Sequence, residues 1–272
     1  MQGLAESGRQ RRLGAILRPP RGRTVIVAVD HGQFMGPVPG ALVLRDTVDR
    51  VVAGSPDAIQ LTPGGVRRCA DVPGFDAVPL VLRLDTTNVW RTNVLAPSPG
   101  YWRPLAEPAD AVACGASAAV AFLLGGWRDD ALEGDNLCQL AAWSRECSAL
   151  GMPLIIEPLP LSGKLETDSD AALVRTLARI AVETGCDMLK LDYFGDPDGF
   201  GELVRDAGVP VLARGGPRAD SPADYLRGVE VALDAGAAGV VVGRNVFAHE
   251  QPTRILHQLR EVVHGSDGAH GE

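Results

Sequence analysis

Short runs of β-branched and other apolar residues recur along the chain, each closing on Gly, Pro or Asp, with segments of helical periodicity between them. Eight of these runs read as strands, over 24–30, 57–62, 79–85, 117–124, 153–157, 187–191, 210–214 and 239–243. Apolar residues fall at helical spacing over 171–184 and 223–235, and 4–17 reads as a further helix ahead of the first strand. Apolar strands that alternate with amphipathic helices build a parallel sheet covered on both faces. The eight units follow one another without a linker or a shift in composition, so the pattern predicts an α/β fold closed into a single-domain (β/α)8 TIM barrel. A doubly wound open sheet fits less well, because the first strand runs into Asp30-His31-Gly32-Gln33 and not a Gly-x-Gly-x-x-Gly turn.

The expected boundaries are an N-terminal helical extension over 1–22 that caps the barrel, the barrel over 23–263, and a flexible polar tail over 264–272. Two connections are long: 86–109 after the third strand, which carries Trp90, Tyr101 and Trp102, and 125–136 after the fourth. Both leave the C-terminal ends of strands, where barrel enzymes place active sites and lids. Trp127 and Arg128 in the second connection are candidates for a lid or for simple packing.

Composition narrows the ligand. A chain of 272 residues, 46% hydrophobic, suffices for one sizeable core. Its net charge of -8 argues against nucleic acid or an anionic membrane surface as partner, although a local basic patch can still hold a small anion. The five cysteines include no Cys-x-x-Cys pair, which signals neither a disulfide framework nor a zinc site and fits reduced thiols in a cytoplasm. Segment 1–23 is Arg-rich without a continuous apolar stretch, and the longest apolar run, 116–124, is too short to span a bilayer. Neither export nor membrane anchoring is expected.

Within this frame Lys190 stands out. Of the 26 basic residues only Lys164 and Lys190 are lysine, and Lys190 lies inside the apolar sixth strand. Burial drives an amine toward its neutral, nucleophilic form, which adds to carbonyls to give Schiff bases. The structural alternative is a packed stem with its ammonium on a carboxylate such as Asp192, two residues along the same face.

Other strand ends add to the picture. The seventh strand ends Ala213-Arg214-Gly215-Gly216-Pro217, and the eighth ends Val242-Gly243-Arg244-Asn245. Glycines let backbone N–H groups approach an anion, and an arginine supplies a fork for its oxygens. Gly215, Gly216, Gly243 and Arg244 therefore read as a phosphate site, with plain turn chemistry as the alternative. Asp30 and Glu157 close the first and fifth strands, so a barrel brings them to one rim with Lys190, either as proton shuttles beside an amine or as an ion-pair network. Arg83 and Asp85 alternate on the third strand and either face the barrel mouth or pair internally. His31, Arg83, Asp192 and Arg214 are candidate substrate contacts. Of the five histidines only His31 falls at a strand end, while His249, His257, His264 and His270 lie in or beyond the last helix, so chemistry without a metal or cofactor is expected.

With these segments in order, the sequence resembles the class I aldolase family that includes the archaeal-type fructose-bisphosphate aldolases. The likeness rests on Val29-Asp30-His31-Gly32, on Asp187-Met188-Leu189-Lys190 with Tyr193-Phe194-Gly195-Asp196-Pro197, on the run from Val209 to Pro217, and on the run from Gly239 to Phe247 that ends Gly243-Arg244-Asn245-Val246-Phe247. It implies that Lys190 forms the Schiff base, that Asp30 assists proton transfer, and that the glycine and arginine loops hold a substrate phosphate. It also implies a homo-oligomer, in pentameric or decameric rings.

The fifth strand departs from that pattern. Leu159, in Glu157-Pro158-Leu159-Pro160-Leu161-Ser162-Gly163, stands where the archaeal branch carries an acid/base tyrosine, and leucine cannot transfer a proton. Glu157-Pro158 is similar instead to tagatose-bisphosphate and sulfofructose-phosphate aldolases, in which a glutamate serves near the lysine. The first-strand motif continues Gln33-Phe34-Met35-Gly36-Pro37 in place of the family's Glu-His-Gly-Pro. The resemblance therefore implies a lyase that makes or breaks a carbon–carbon bond in a phosphorylated ketose or keto compound other than the glycolytic bisphosphate. Lysine-dependent, thiolase-like acyl transfer on a phosphorylated diketone, and a non-catalytic phosphate-sugar binding protein, are the alternatives.

Overall fold

Each of the eight apolar runs forms a strand: Thr24–Ala28, Ala58–Leu61, Leu80–Arg83, Ala118–Gly125, Leu154–Pro160, Met188–Asp192, Val211–Arg214 and Gly239–Val242. The structure is a computed structural model and describes residues 2–91, 100–127, 129–161, 171–216, 219 and 221–265. Arg128, Ser162, Gly163, Lys164, Pro217, His270 and the rest of the expected tail after Gly265 lie outside the described residues. Consecutive strands pair in parallel and the first pairs with the eighth, Thr24 opposite Gly239, which closes a (β/α)8 barrel. At that seam only glycine fits: Gly239 has φ +131°, and a Cβ there would stand 2.0 Å from the Thr24 carbonyl oxygen.

Several strands are shorter than expected, the third ending at Arg83 so that Asp85 falls in a separate short strand, and the ends of the first and fifth bear on the site. The first leaves the sheet at Ala28, two residues before Asp30, although Val29 N still donates to Gln60 O at 2.9 Å. The fifth runs past Glu157 to Pro160, because the long fourth strand continues beside it until Gly125 lies opposite Pro160. Pro158 and Pro160 are tolerated there since their missing N–H groups alternate onto the side where pairing with the sixth strand has ended, at Ile156 opposite Leu189. Within the long connection after the third strand, Asp85–Thr87 and Trp102–Pro104 form an antiparallel hairpin that the sequence pattern did not indicate.

Three helices begin where a capping side chain precedes proline. Thr62, Asp196 and Ser221 accept from the backbone N–H of Gly65, Gly199 and Asp224, and each is followed by proline at the first helical position. The helices Ala171–Thr184 and Pro222–Asp234 match the expected spans within a residue or so. Apolar packing divides into two layers. One fills the space between strands and helices, and the other fills the barrel with Ile26, Ala28, Ala58, Val81, Val120, Ile155, Met188, Leu212 and Val241.

The N-terminal helix Gln2–Ile16 closes the floor of that inner layer, with Ile16 fully buried against it. Two of its arginines tie it to the barrel: Arg9 meets Asp187 at 2.6 Å and Arg12 donates to Gly151 O at 2.9 Å. His264, assigned to the tail by the expected boundary, is instead the last residue of the helix Pro252–His264, and its Nε2 lies 2.7 Å from Asp57 Oδ2. His249 precedes that helix and does not lie within it. Among the described residues, no helix is long and apolar enough to cross a membrane.

If Ile16 is the floor of the barrel, Ile16→Ala opens a cavity that its rigid surroundings cannot fill. The expected loss is roughly 2–5 kcal/mol, read as a lower denaturation midpoint, with the far-ultraviolet dichroism of the folded state unchanged.

Candidate active site

In a strand, residues two apart share a face. Two residues beyond Ala28, Ala58, Val81, Val120, Ile155, Met188, Leu212 and Val241 of the inner apolar layer, toward the C-terminal ends of the strands, stand Asp30, Gln60, Arg83, Phe122, Glu157, Lys190, Arg214 and Gly243. A dry layer is therefore followed by one that is polar on six of the eight strands, Phe122 and Gly243 being the exceptions. Asp30, Gln60, Arg83, Glu157 and Lys190 are all at most 4% exposed, so this layer lies below the surface of the barrel mouth.

Such burial forces the charges together. Lys190 Nζ is 2.9 Å from Glu157 Oε2, and Arg83 Nη2 donates to the same oxygen at 2.6 Å. Arg83 spends its other donors on Asp30 Oδ2, at 2.9 Å from Nε, and on Asp85 Oδ1, at 3.3 Å from Nη1. Gln60 Nε2 donates to Asp30 Oδ2 at 2.5 Å, while Arg214 Nη1 lies 3.6 Å from Glu157 Oε1. The hairpin completes the shell, since Trp102 Nε1 and the Phe122 N–H both donate to Asp85 Oδ2 at 2.7 Å.

The ionisation states follow from desolvation set against these neighbours. Burial alone would raise the Glu157 carboxyl, but Lys190, Arg83 and Arg214 outweigh it and hold the group at about 2. Asp30 is lowered in the same way, its burial overcome chiefly by Arg83. Asp85 lies deeper and has weaker help, so burial wins and pushes it up to about 6. For Lys190, desolvation lowers the amine below the ordinary lysine range, and the Glu157 charge only partly offsets it.

Two candidate contacts prove to be tied to one another. Arg214 grips Asp192 through both Nε and Nη2, so Asp192 serves the neighbouring strand, and the partner of Lys190 is Glu157. Arg83 and Asp85 form the internal pair that was one of two readings for them, and the guanidinium of Arg83 lies 3.8 Å from the Phe122 ring centroid. With one face on an aromatic ring and its donors on three carboxylates, Arg83 offers substrate little.

At the mouth, the glycines have distinct tasks. A Cβ on Gly243 would stand 2.3 Å from His31 Cε1, so that glycine makes the seat for the histidine ring, which also packs edge-on to Phe247 at 5.2 Å. Burial holds His31 down at about 4, as a neutral ring, even with Asp30 Oδ1 3.7 Å from its Nδ1. Gly216 takes φ +60° with open space around its Cβ position. Arg244 Nη2 donates to Gly216 O at 3.2 Å, and its Nε is buried without a hydrogen-bond partner among the described residues. Asn245 braces the same loop, with Nδ2 on Gly215 O at 2.8 Å and Oδ1 taking the Ala219 N–H at 2.9 Å.

Sequence reasoning passed over Gln60, Trp102 and Asn245. The signal for Gln60 was the polar residue in the run Ala58–Leu61, which is buried throughout. Trp102 and Asn245 sit in elements of three and four residues, too short for any periodicity to mark.

The structure thus presents a closed parallel barrel with a buried lysine between carboxylates, below an arginine and glycine rim, at the end of the barrel where enzymes of this architecture carry their sites. Residues 24–249 match the family model described as DeoC/LacD family aldolase. An uncharacterised aldolase of Saccharolobus solfataricus is 37% identical over 247 residues, covering 90% of both chains. The 2-amino-3,7-dideoxy-D-threo-hept-6-ulosonate synthase 1 of Archaeoglobus fulgidus is 33% identical over 262 residues, covering 95% of this chain and 92% of its own. Among solved structures, an archaeal fructose-1,6-bisphosphate aldolase whose catalytic lysine is covalently bound to the carbinolamine intermediate of the substrate aligns with TM-score 0.80 and 30% identity, over 94% of this chain and all of that one. The chain belongs to the DeoC/LacD family of class I aldolases, which are lyases.

Glu157 balances two buried cations, so Glu157→Gln is expected to destabilise by roughly 3–5 kcal/mol, as the loss of one partner from a buried ion pair does. Linkage gives a second expectation. A group held at about 2 when folded contributes stability that is complete above its unfolded value of ~4.3 and is lost as pH falls toward the folded value. Between pH 4 and 2, the denaturation midpoint of Glu157→Gln should fall less steeply than that of the wild type.

Proposed function

We propose that the enzyme is a class I aldolase that cleaves or forms a carbon–carbon bond next to the carbonyl of a phosphorylated ketone, such as dihydroxyacetone phosphate. Lys190 adds to that carbonyl, and loss of water leaves an iminium that accepts the electron pair of the neighbouring bond. The observation that carries this reading is the Lys190 amine itself, 2.9 Å from Glu157, buried in the polar layer and drawn toward its neutral form. Asp30 and Glu157 divide the proton transfers of carbinolamine dehydration and bond cleavage.

Gly215, Gly216, Gly243 and Arg244 anchor the phosphate. Support for this comes from the unpartnered, buried Nε of Arg244 and from the open, left-handed Gly216 beside it. An anchored phosphate fixes the carbonyl against the amine, which lowers the barrier by orientation. Leu159 is buried on the fifth strand and has no proton to give, so the substrate is assigned as a phosphorylated keto compound other than the glycolytic bisphosphate. The same reading carries a homo-oligomeric assembly in the cytoplasm, and native mass spectrometry reads the assembly directly.

Borohydride reduction in the presence of dihydroxyacetone phosphate tests the chemistry. The expected result is a stable adduct on the Lys190 peptide, with the mass of the reduced ketone, and none in Lys190→Ala. An adduct elsewhere, or none with any of a panel of phosphorylated ketones, overturns the Schiff-base reading. Formation of a coenzyme A thioester with no aldehyde would replace it by acyl transfer.

A further inference from the structure

Arg83 is the one member of the polar layer that touches three carboxylates at once, on Asp30, Asp85 and Glu157. We propose that Arg83 is a positioning residue, a permanent cation that takes over from Lys190 the task of balancing Glu157 and at the same time clamps Asp30 in register with it. This rests on the Schiff-base reading of Lys190 and specifies what that reading requires of the surroundings.

The requirement is one of charge. An amine that serves as a nucleophile must lose its proton, and as it does so the carboxylate beside it loses its counter-charge. A carboxylate buried without a cation is costly, so Glu157 facing Lys190 alone would keep the amine protonated. Two donors converge on the same oxygen, Arg83 Nη2 at 2.6 Å and Lys190 Nζ at 2.9 Å, so Glu157 remains paired when Lys190 is neutral. Guanidinium is suited to this because it does not deprotonate in proteins, whereas a second lysine would share the titration with Lys190.

Charged groups from several elements around Lys190 contribute to the balance. The segment after the first strand brings Asp30 and His31, the third strand Arg83, the hairpin that follows it Asp85, the fifth strand Glu157, the seventh Arg214, and the segment after the eighth Arg244. On its own strand, Asp192 is occupied by Arg214. Burial and the positive charge of Arg83 both lower the Lys190 amine, while Glu157 and Asp30 raise it. Removing Arg83 therefore reverses a lowering influence and strengthens the two raising ones.

The test is the rate of reductive trapping by cyanoborohydride with dihydroxyacetone phosphate, followed across pH in the wild type, Arg83→Gln and Arg83→Lys. In Arg83→Gln the acid limb of the profile is expected to move alkaline by about one pH unit or more, which is about tenfold slower trapping at neutral pH, recovered at higher pH. Arg83→Lys is expected to move it in the same direction by less, because one ammonium cannot span three carboxylates. Should Arg83→Gln fail to fold, the Arg83→Lys profile decides alone. A profile that superimposes on the wild type, or is lower at every pH without a displaced midpoint, makes Arg83 merely structural and overturns the proposal. An absence of adduct in the wild type at every pH would instead overturn the aldolase reading itself, a separable result.

Discussion

An amine, a guanidinium and three carboxylates can be buried in one layer of a barrel only if the charges neutralise one another at hydrogen-bond distance. Arg83 meets that constraint. It reaches Asp30 and Glu157 across the barrel and Asp85 on its own side, and it leaves Glu157 as the carboxylate that also faces Lys190. Without such mutual pairing, desolvation would raise each carboxyl, as it does for Asp85, whose other partners are neutral N–H donors.

The scaffold holds this layer from three sides. Beneath it lies the apolar interior, sealed by Ile16 from the N-terminal helix. Beside it, the Asp85–Thr87 hairpin strand is pinned by Trp102, which turns a long connection into a wall of the site. Above it, Gly243 gives up a side chain so that the neutral His31 ring can sit between Asp30 and the Arg244 loop. Local conformational choices are thus made by the polar layer as much as by the packing that surrounds it.

Most of the barrel was legible in the sequence, because parallel strands buried on both faces must be apolar runs of limited length and the helices between them keep their period. The rule of alternation also carried Asp30, Glu157 and Lys190 to one rim. It misled at Asp192, which shares a strand face with Lys190 and so looked like its partner. The choice between Asp192 and Glu157 depends on inter-strand register, with Ile155 opposite Met188 setting Glu157 beside Lys190, and on competition from Arg214. Neither is encoded within the sixth strand. The hairpin was missed for a related reason: Trp102–Pro104 is a three-residue strand whose role is a single indole N–H on a buried carboxylate.

A lysine that titrates below the ordinary range is the physical core of the proposed mechanism, and the chain offers a clear view of it. Only Lys164 and Lys190 carry amines on side chains, so a protein labelled with 13C at the lysine Cε positions gives two side-chain resonances to follow against pH. One resonance should titrate below the ~10.4 of a free lysine and disappear in Lys190→Ala. If both resonances titrate at the ordinary value, Lys190 is a structural cation and the charge arrangement around it does not prepare an amine for attack.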